Sequence, residues 1–524
     1  MSDLETNLSH KDRYFTTDHL RADLKKRAVR GVGATVFSQT AAYGIQTIGT
    51  IVLARLLAPN DFGLVAMVTA FSLLLQNFGV NGFTEAVIQR QEIHHKQIST
   101  LFWIQIGLSL ALTLFLMVLA PLIAGFYKEP RLELITIAVA PSVIFAGFST
   151  LPLALLKRNM QFYSTSALDM TTITISVIIA IAFAYWGWGY WALVLRRLSL
   201  PLTTTVGAWM LCRWRPGLPA LGTGVRPMLK YAINTYGNFT VDYFSRNLDK
   251  ILIGWRLGTQ SLGFYDRAYY LFTMPANQLI YPVTSVAVAA LSRLRDDPEK
   301  YRRYYLNAVS MIAFIGMPIS TMLILIANDL TILLLGPQWN KAGQILSFFA
   351  AGLGIMLIYG THGWLHLSLG RPDRWFRWGI IAFVITAIFF VAGLPFGLLG
   401  ITIAYTASFY VLIGPGLWYA GKPICLKLHQ LVAVIWKFCV AAFGAGLFCW
   451  FILFSLEMTS GLFTSLNIVI RILVSLILCT SIYLLLIVAV YQSTQPMSRF
   501  ISMLCEMLPI SKTDSSQKQE NKNE

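Results

Sequence analysis

The sequence predicts an all-α integral membrane protein of about fourteen transmembrane helices. They are expected as two six-helix lobes related by an internal parallel repeat, with two extra helices at the C-terminal end. Three observations carry this expectation: a scarcity of charge, a succession of apolar stretches about as long as a bilayer is thick, and a lopsided placement of lysine and arginine.

Of 524 residues, 56% are hydrophobic and 12% are charged, and the mean hydropathy is +0.62. Water-soluble domains carry roughly 25% charged residues, so about half of the usual solvating charge is missing. A soluble fold has no place to hide that much apolar surface. Residues 1–30 read as a basic cytoplasmic tail, with Lys25, Lys26, Arg27 and Arg30 just ahead of the first apolar run. They lack the short apolar core and small-residue cleavage site of a secretory signal. The six cysteines (Cys212, Cys425, Cys439, Cys449, Cys479 and Cys505) lie in or beside apolar stretches without a CxxC pair. Neither a disulfide framework nor a metal site is expected from them, and they read as small buried apolar residues.

A helix needs about 20 apolar residues to cross hydrocarbon. Stretches of that kind cover 34–57, 62–84, 100–124, 133–156, 166–186, 189–211, 228–254, 264–290, 304–328, 342–367, 376–397, 398–420, 431–455 and 467–491. The first and the seventh are unusually polar. Runs such as Leu108–Leu119 (LSLALTLFLMVL) do not alternate with period two, which excludes a membrane β-barrel, the other way of satisfying backbone groups in lipid.

Basic residues test the count. With the N-terminus inside, and with Lys230, Arg267 and Arg377 at span edges counted with their adjoining links, the cytoplasmic tails and links hold 29 of the 41 lysines and arginines. The outer links hold five (Lys128, Arg131, Arg256, Arg267 and Lys341), and seven fall within spans. That asymmetry is the positive-inside pattern, and it places both termini in the cytoplasm of a multi-pass protein of the bacterial inner membrane. The net charge of +17 is then topology with some attraction to anionic membrane lipid, and nucleic acid is not expected as a partner.

A shift of 200 residues aligns two polar helices without a gap. Thr40 meets Thr240, Tyr43 meets Tyr243, Ile51 meets Ile251, Leu57 meets Leu257, Gly63 meets Gly263 and Asn77 meets Asn277. Six helices separate the copies, an even number, so the repeat is parallel. Duplicated bundles with a site at their interface are a common transporter plan. The lobes are expected at 31–212 and 226–421, joined by a basic linker at 213–225. Two helices at 422–492 and a polar cytoplasmic tail at 493–524 follow.

Charges within spans cluster: Arg55 in the first, Asp169 in the fifth, Arg196 and Arg197 in the sixth, and Asp242, Arg246, Asp249 and Lys250 in the seventh. A charge at mid-bilayer costs a few kcal/mol, about 2.5–3.5 on insertion scales, so such groups tend to face protein or a wet cavity. Arg55 and Arg256 lie near span ends, where a long side chain snorkels to the headgroups. Asn234 and Asn238 extend the polar face of the seventh helix, and Gln39, Tyr43 and Gln46 form a matching stripe on the first. Two readings stay open for the seventh-helix charges, a cationic cavity or a closed ion-pair lattice. Arg196 and Arg197 have no acidic neighbour in their own span; Asp169 is a candidate partner or proton site. His362 and His366 have helical spacing but no third ligand, so no metal is expected, and Asp296-Asp297 reads as a helix cap or a solvated loop. No GxxxxGK[ST] or GxSxG occurs and no large extramembrane domain is visible, so neither a cofactor nor an enzymatic activity is expected.

The segments Ala54–Gly63 (ARLLAPNDFG) and Phe78–Gly82 (FGVNG) resemble the start of Wzx-type polysaccharide flippases. Ser245–Tyr270 (SRNLDKILIGWRLGTQSLGFYDRAYY), Ala290–Asp297 (ALSRLRDD), Leu335–Trp339 (LGPQW) and Gly370–Pro372 (GRP) are similar to the colanic-acid-exporter subgroup. This is a branch of the multidrug/oligosaccharidyl-lipid/polysaccharide flippase superfamily. The resemblance implies a central cavity opening alternately to either side and cation coupling. It also implies an undecaprenyl-pyrophosphate-linked oligosaccharide as cargo, for exopolysaccharide, capsule or O-antigen biosynthesis. A polysaccharide polymerase and a chain-length regulator are then natural partners. Arg196, Arg197, Arg246 and Lys250 become candidates for binding the pyrophosphate. Gln39, Tyr43, Gln46, Asn234, Asn238 and Tyr243 become candidates for lining the cavity, and Asp169, Asp242 and Asp249 for tuning charge or coupling an ion. Arg196-Arg197 departs from the neutral residues the family leads one to expect there. A cation-coupled small-molecule antiporter is the alternative.

Reporter fusions after Met458 and after Lys512 should give periplasmic and cytoplasmic signals respectively. The opposite pair of signals rejects the fourteen-span topology.

Overall fold

The computed structural model describes residues 24–90, 93–220, 222, 224–460, 466–495 and 497–498. Most of the two expected tails lies outside the described residues. In chain order the helices are α1 (Leu24–Leu56), α2 (Pro59–Gln89), α3 (His95–Tyr127), α4 (Arg131–Val139), α5 (Pro141–Arg158), α6 (Phe162–Tyr185) and α7 (Tyr190–Leu211). Then come α8 (Arg226–Arg293), α9 (Pro298–Leu335), α10 (Asn340–Gly360), α11 (His362–Ser368), α12 (Pro372–Gly393), α13 (Gly397–Gly421), α14 (Leu428–Ser460) and α15 (Ile468–Tyr491). Among the described residues there is no β-strand. The protein is an all-α membrane protein.

Among the described residues, eight helical stretches are long and apolar enough to cross a membrane: His95–Tyr127, Arg131–Arg158, Phe162–Tyr185, Pro298–Leu335, Pro337–Ser368, Pro372–Ile424, Leu428–Met458 and Ile468–Tyr491. The stretch Pro372–Ile424 contains both α12 and α13. Helices α1, α2, α7 and α8 fall outside that group. Gly258 divides the 68 residues of α8 into two arms, with φ 81° and ψ −179°. That backbone conformation is open to glycine and strained for other residues.

Helix ends are defined by local chemistry. Proline opens α2, α5 and α12, where its missing N–H costs nothing. The Asp61 carboxylate accepts from the Ala58 amide at 3.0 Å, Gln97 Oε1 from the His94 amide at 3.1 Å, and Asn467 Oδ1 from the Val469 amide at 3.0 Å. Each satisfies an amide that the helix leaves unpaired. At the other end of α2, Arg158 Nη1 donates to the Val87 carbonyl at 3.0 Å and to that of Arg90. A guanidinium beside the negative end of a helix is favourable, and Arg158 is buried.

Two compact units make up the chain: residues 1–266 with 334–339, and residues 267–333 with 340–524. In the first unit, α1 packs on α6. Ser38 Oγ donates to the Ser166 carbonyl at 2.9 Å, and Val177 closes over Gly49. A cluster of Phe102, Leu151, Leu155, Cys212, Trp214 and Met228 ties α3, α5 and the linker together. In the second unit, Phe272 stacks on Phe349 at 5.1 Å and Tyr405 on Phe390 at 6.1 Å. Tyr305 and Thr361 share a buried hydroxyl hydrogen bond of 2.8 Å. Arg471 of α15 is paired with Asp329 of α9, which fastens a C-terminal helix to the rest of that unit.

The first unit also contains a crossing in which backbone meets backbone. A β-carbon on Gly63 would overlap the Thr259 carbonyl oxygen, and one on Gly263 would overlap the Pro59 carbonyl oxygen. The contact is reciprocal: position 63 meets 259 while 263 meets 59. Thr259 Oγ1 donates to Asn60 Oδ1 across the same junction. The fully buried Trp339 ring sits between Phe62 and Phe264, with centroids at 5.4 and 6.0 Å, and its Nε1 donates to the Ala54 carbonyl at 2.8 Å.

Overfilling a packed site costs about 1–3 kcal/mol, and backbone has little room to give. Gly63→Leu and Gly263→Leu should therefore each lower the thermal unfolding temperature of the purified protein. Gly107→Leu, where nothing lies within 4 Å of an added β-carbon, should not. Equal stability of all three variants would show that the crossing is loose.

Candidate functional site

The polar helix of the sequence reading is the first arm of α8, 226–257. Its charges are met by the second arm, which Gly258 folds back against it. Lys250 and Asp266 each lie eight positions from Gly258, so a reversal there brings them level. Lys250 Nζ donates to Asp266 Oδ1 at 2.7 Å, with the two side chains 19% and 14% exposed. One residue earlier on each arm, Tyr265 donates its hydroxyl to Asp249 Oδ2 at 2.6 Å. Asp249 is 1% exposed and Tyr265 fully buried, and the Lys250 amide donates to Asp249 Oδ1 at 2.8 Å. Two acids and one lysine, with a tyrosine hydroxyl, thus form a connected group. Burying a charge is costly unless it is paired and hydrogen-bonded, and here both conditions hold.

The other candidates sit in different surroundings. Arg246 is exposed, so it does not share the environment of Asp249. Tyr243 is 8% exposed, and its hydroxyl donates to the Ala70 carbonyl at 2.9 Å, which joins α8 to α2. The side chains of Asn234, Asn238 and Asp242 lie outside the described residues. On α1, Gln39 and Gln46 are exposed and Tyr43 is half-buried. Ser38, Ala42, Thr50 and Leu53 are buried on the same helix, so the polar stripe lies away from the packed face. Arg196 and Arg197 are half-exposed midway along α7, and Asp169 is exposed on α6.

Arg55 serves a helix end: its Nε donates to the Leu334 carbonyl at 3.1 Å, in the last turn of α9. Trp255, 200 residues on, stacks on Phe126 at 6.1 Å near the end of α3. Outside the membrane-spanning stretches, Glu129 forms an ion pair with Arg131 at 2.8 Å. That guanidinium holds the Glu129 carboxyl below its ordinary range. Among the described residues no group of three or more His, Cys, Asp or Glu side chains is placed to hold a metal ion.

Two members of the α8 group, Tyr265 and Asp266, escaped the reading of the sequence. Their signal is the 16-residue spacing from Asp249 and Lys250, centred on the glycine-containing segment Leu257-Gly258. Periodicity within one helix cannot detect a partner that lies across a break.

Residues 52–344, more than half of the chain, match the family described as polysaccharide biosynthesis protein. The chain is 22% identical over 421 residues to the lipopolysaccharide biosynthesis protein WzxC of Escherichia coli K12, covering 77% of this chain and 85% of that protein. It is 24% identical over 418 residues to the teichuronic acid biosynthesis protein TuaB of Bacillus subtilis, covering 79% and 85%. With the succinoglycan biosynthesis transport protein ExoT of Rhizobium meliloti it shares 21% identity over 361 residues, covering 69% and 73%. In fold it is similar to the lipid II flippase MurJ in an inward closed conformation, with a TM-score of 0.69, 15% identity, and 88% and 99% of the two chains covered. It is also similar to an inward-facing multidrug resistance MATE transporter, with a TM-score of 0.57, 16% identity, and 72% and 94% covered. The chain belongs to the polysaccharide biosynthesis protein family.

Proposed function

We propose that the cargo is an undecaprenyl-pyrophosphate-linked oligosaccharide, carried from the cytoplasmic to the periplasmic leaflet by alternating access and driven by a coupled cation. Both termini face the cytoplasm, and a polymerase and a chain-length regulator use the exported unit. The observation that best supports this reading is the exposure of Arg246 on the polar first arm of α8 and the partial exposure of Arg196 and Arg197 midway along α7. Two unit charges 4 Å apart attract by about 1 kcal/mol in bulk water and about 4 kcal/mol at an effective dielectric of 20. An arginine that meets a pyrophosphate in a cavity of lower dielectric than water therefore holds it more strongly than it would in solution. Guanidinium groups also suit phosphate through paired N–H donors.

Lys250 acts together with Asp266, with which it is ion-paired. Its field on an incoming anion is that of a pair, and Asp249 remains the acidic group closest to it in sequence. Asp249 and Asp242 are the candidates for tuning the site or carrying a proton, with Asp169 as a third. Gln39, Tyr43 and Gln46 supply hydroxyl and amide groups for the sugars, while the lipid tail stays in the bilayer.

The test is charge replacement, with lipid-linked repeat units counted on the cytoplasmic side and polysaccharide at the cell surface. Arg246→Gln should abolish export without lowering membrane abundance, and Arg246→Lys should retain part of it. Export unchanged after Gln at 246, 250, 196 and 197 together would reduce these charges to structural roles. A second comparison isolates Lys250. Lys250→Gln removes the ammonium that pairs with Asp266 and should destabilise the protein, by at most about 3–5 kcal/mol. Adding Asp266→Asn should recover most of that stability while export stays impaired. Full recovery of both would make the pair purely structural.

A further inference from the structure

At the end of α7, where the chain runs into the linker, lies an open cavity of about 540 Å³. It is lined by Thr205, Val206, Trp209, Met210, Arg213 and Arg215. Its chemistry is divided. Val206 and Met210 form an apolar wall, 53% and 77% exposed, and Arg213 and Arg215 bring two guanidinium groups to the other side. Among the described residues no carboxylate lines it.

The cationic side is built on an ordered strap. His95 Nε2 is 3.1 Å from the Arg215 carbonyl oxygen, the Gly217 amide donates to Ser99 Oγ at 2.9 Å, and Trp103 Nε1 donates to the Gly217 carbonyl at 2.9 Å. The Ala220 amide donates to Thr100 Oγ1 at 3.1 Å. Four side chains from the first turns of α3 thus hold the linker backbone, and Trp214 anchors it with 1% exposure. On the α7 side, Trp209 Nε1 donates to the Phe148 carbonyl at 3.0 Å and Thr205 Oγ1 to the Phe145 carbonyl at 2.5 Å. The Arg215 guanidinium lies over the Trp209 ring at 5.7 Å. Little ordering is left to be done when a ligand arrives, which favours binding.

We propose that this cavity holds the phosphate of an anionic phospholipid on the membrane face of the linker, with an acyl chain lying along Val206 and Met210. Basic pockets at the membrane surface attract anionic headgroups, tryptophan is enriched at that depth, and the apolar wall would be wasted on free phosphate. A cavity of this size has room for a phosphoglycerol headgroup. The inference does not depend on what the protein transports, and the cargo's phosphate is an outcome that the experiment separates.

The experiment titrates the purified full-length protein in detergent micelles with cardiolipin, phosphatidylglycerol, phosphatidylethanolamine and undecaprenyl pyrophosphate. Bound lipid is counted by native mass spectrometry. Cardiolipin and phosphatidylglycerol should be retained over phosphatidylethanolamine. Arg213→Gln with Arg215→Gln should weaken that retention about thirtyfold, from two charges near the surface, and Lys at both positions should keep most of it. Met210→Glu, at an exposed position, should weaken it without touching either arginine. Arg293→Gln with Arg295→Gln removes the same charge from exposed positions beside Asp296 and Asp297 and should leave it unchanged. Retention equal to wild type in the 213/215 variant overturns the proposal, as does equal loss in the 293/295 variant. Loss confined to undecaprenyl pyrophosphate assigns the cavity to the cargo and overturns it too.

Discussion

Hydrocarbon offers no partner to a peptide N–H or C=O, and that constraint governs most of this molecule. It makes helices the fold, and it gives each helix end a chemical problem. The first amides of α2, α3 and α15 are met by Asp61, Gln97 and Asn467. Carbonyls near the ends of α1, α2 and α9 are met from elsewhere in the chain by Trp339, Arg158 and Arg55. The arginines bring more than hydrogen bonds, since a positive charge at the C-terminal end of a helix is stabilised by the aligned peptide dipoles. Part of the basic excess of the chain is therefore internal structure.

Charge meets the same constraint with a larger penalty. In α8 the answer is a group, not a pair. Asp249 takes one hydrogen bond from Tyr265 and one from the Lys250 amide, while Lys250 itself turns to Asp266. Removing one member of such a group takes a hydrogen bond or an opposite charge from its neighbours, so its members are expected to tolerate substitution only together. Arg246, three residues before Asp249, is exposed. One helix thus presents charge in two settings, one buried and one accessible.

Helices bearing large side chains stay 8–10 Å apart, and closer approach needs residues without them. At the crossing of α2 with the second arm of α8, Gly63 and Gly263 let carbonyl oxygens of the opposite segments sit where β-carbons would be. Small residues at helix contacts are a general device of membrane proteins. In this chain the contact is reciprocal at a spacing of 200 residues, position 63 meeting 259 and 263 meeting 59. Trp339 fills the space beside the crossing and hydrogen-bonds to α1, so the LGPQW segment (residues 335–339) is a packing element of the first unit.

The sequence by itself determined the membrane class, the helical fold and the family. Those rest on composition, on the length of apolar runs and on short motifs, all of which are local properties. It also singled out α1 and the first arm of α8 as polar, and it marked Gly63 and Gly263. Which polar side chains are buried was decided by tertiary structure alone. Asp249 and Arg246 look alike in a helical pattern, yet one is buried against Tyr265 and the other is exposed. Tyr243 reads as a sugar-binding hydroxyl from its neighbours, yet its proton is committed to Ala70. The physical reason is that periodicity assigns a residue to a face, whereas its partner comes from whatever element packs on that face. Here that element is reached through a glycine with positive φ, a turn that hydrophobic pattern does not encode.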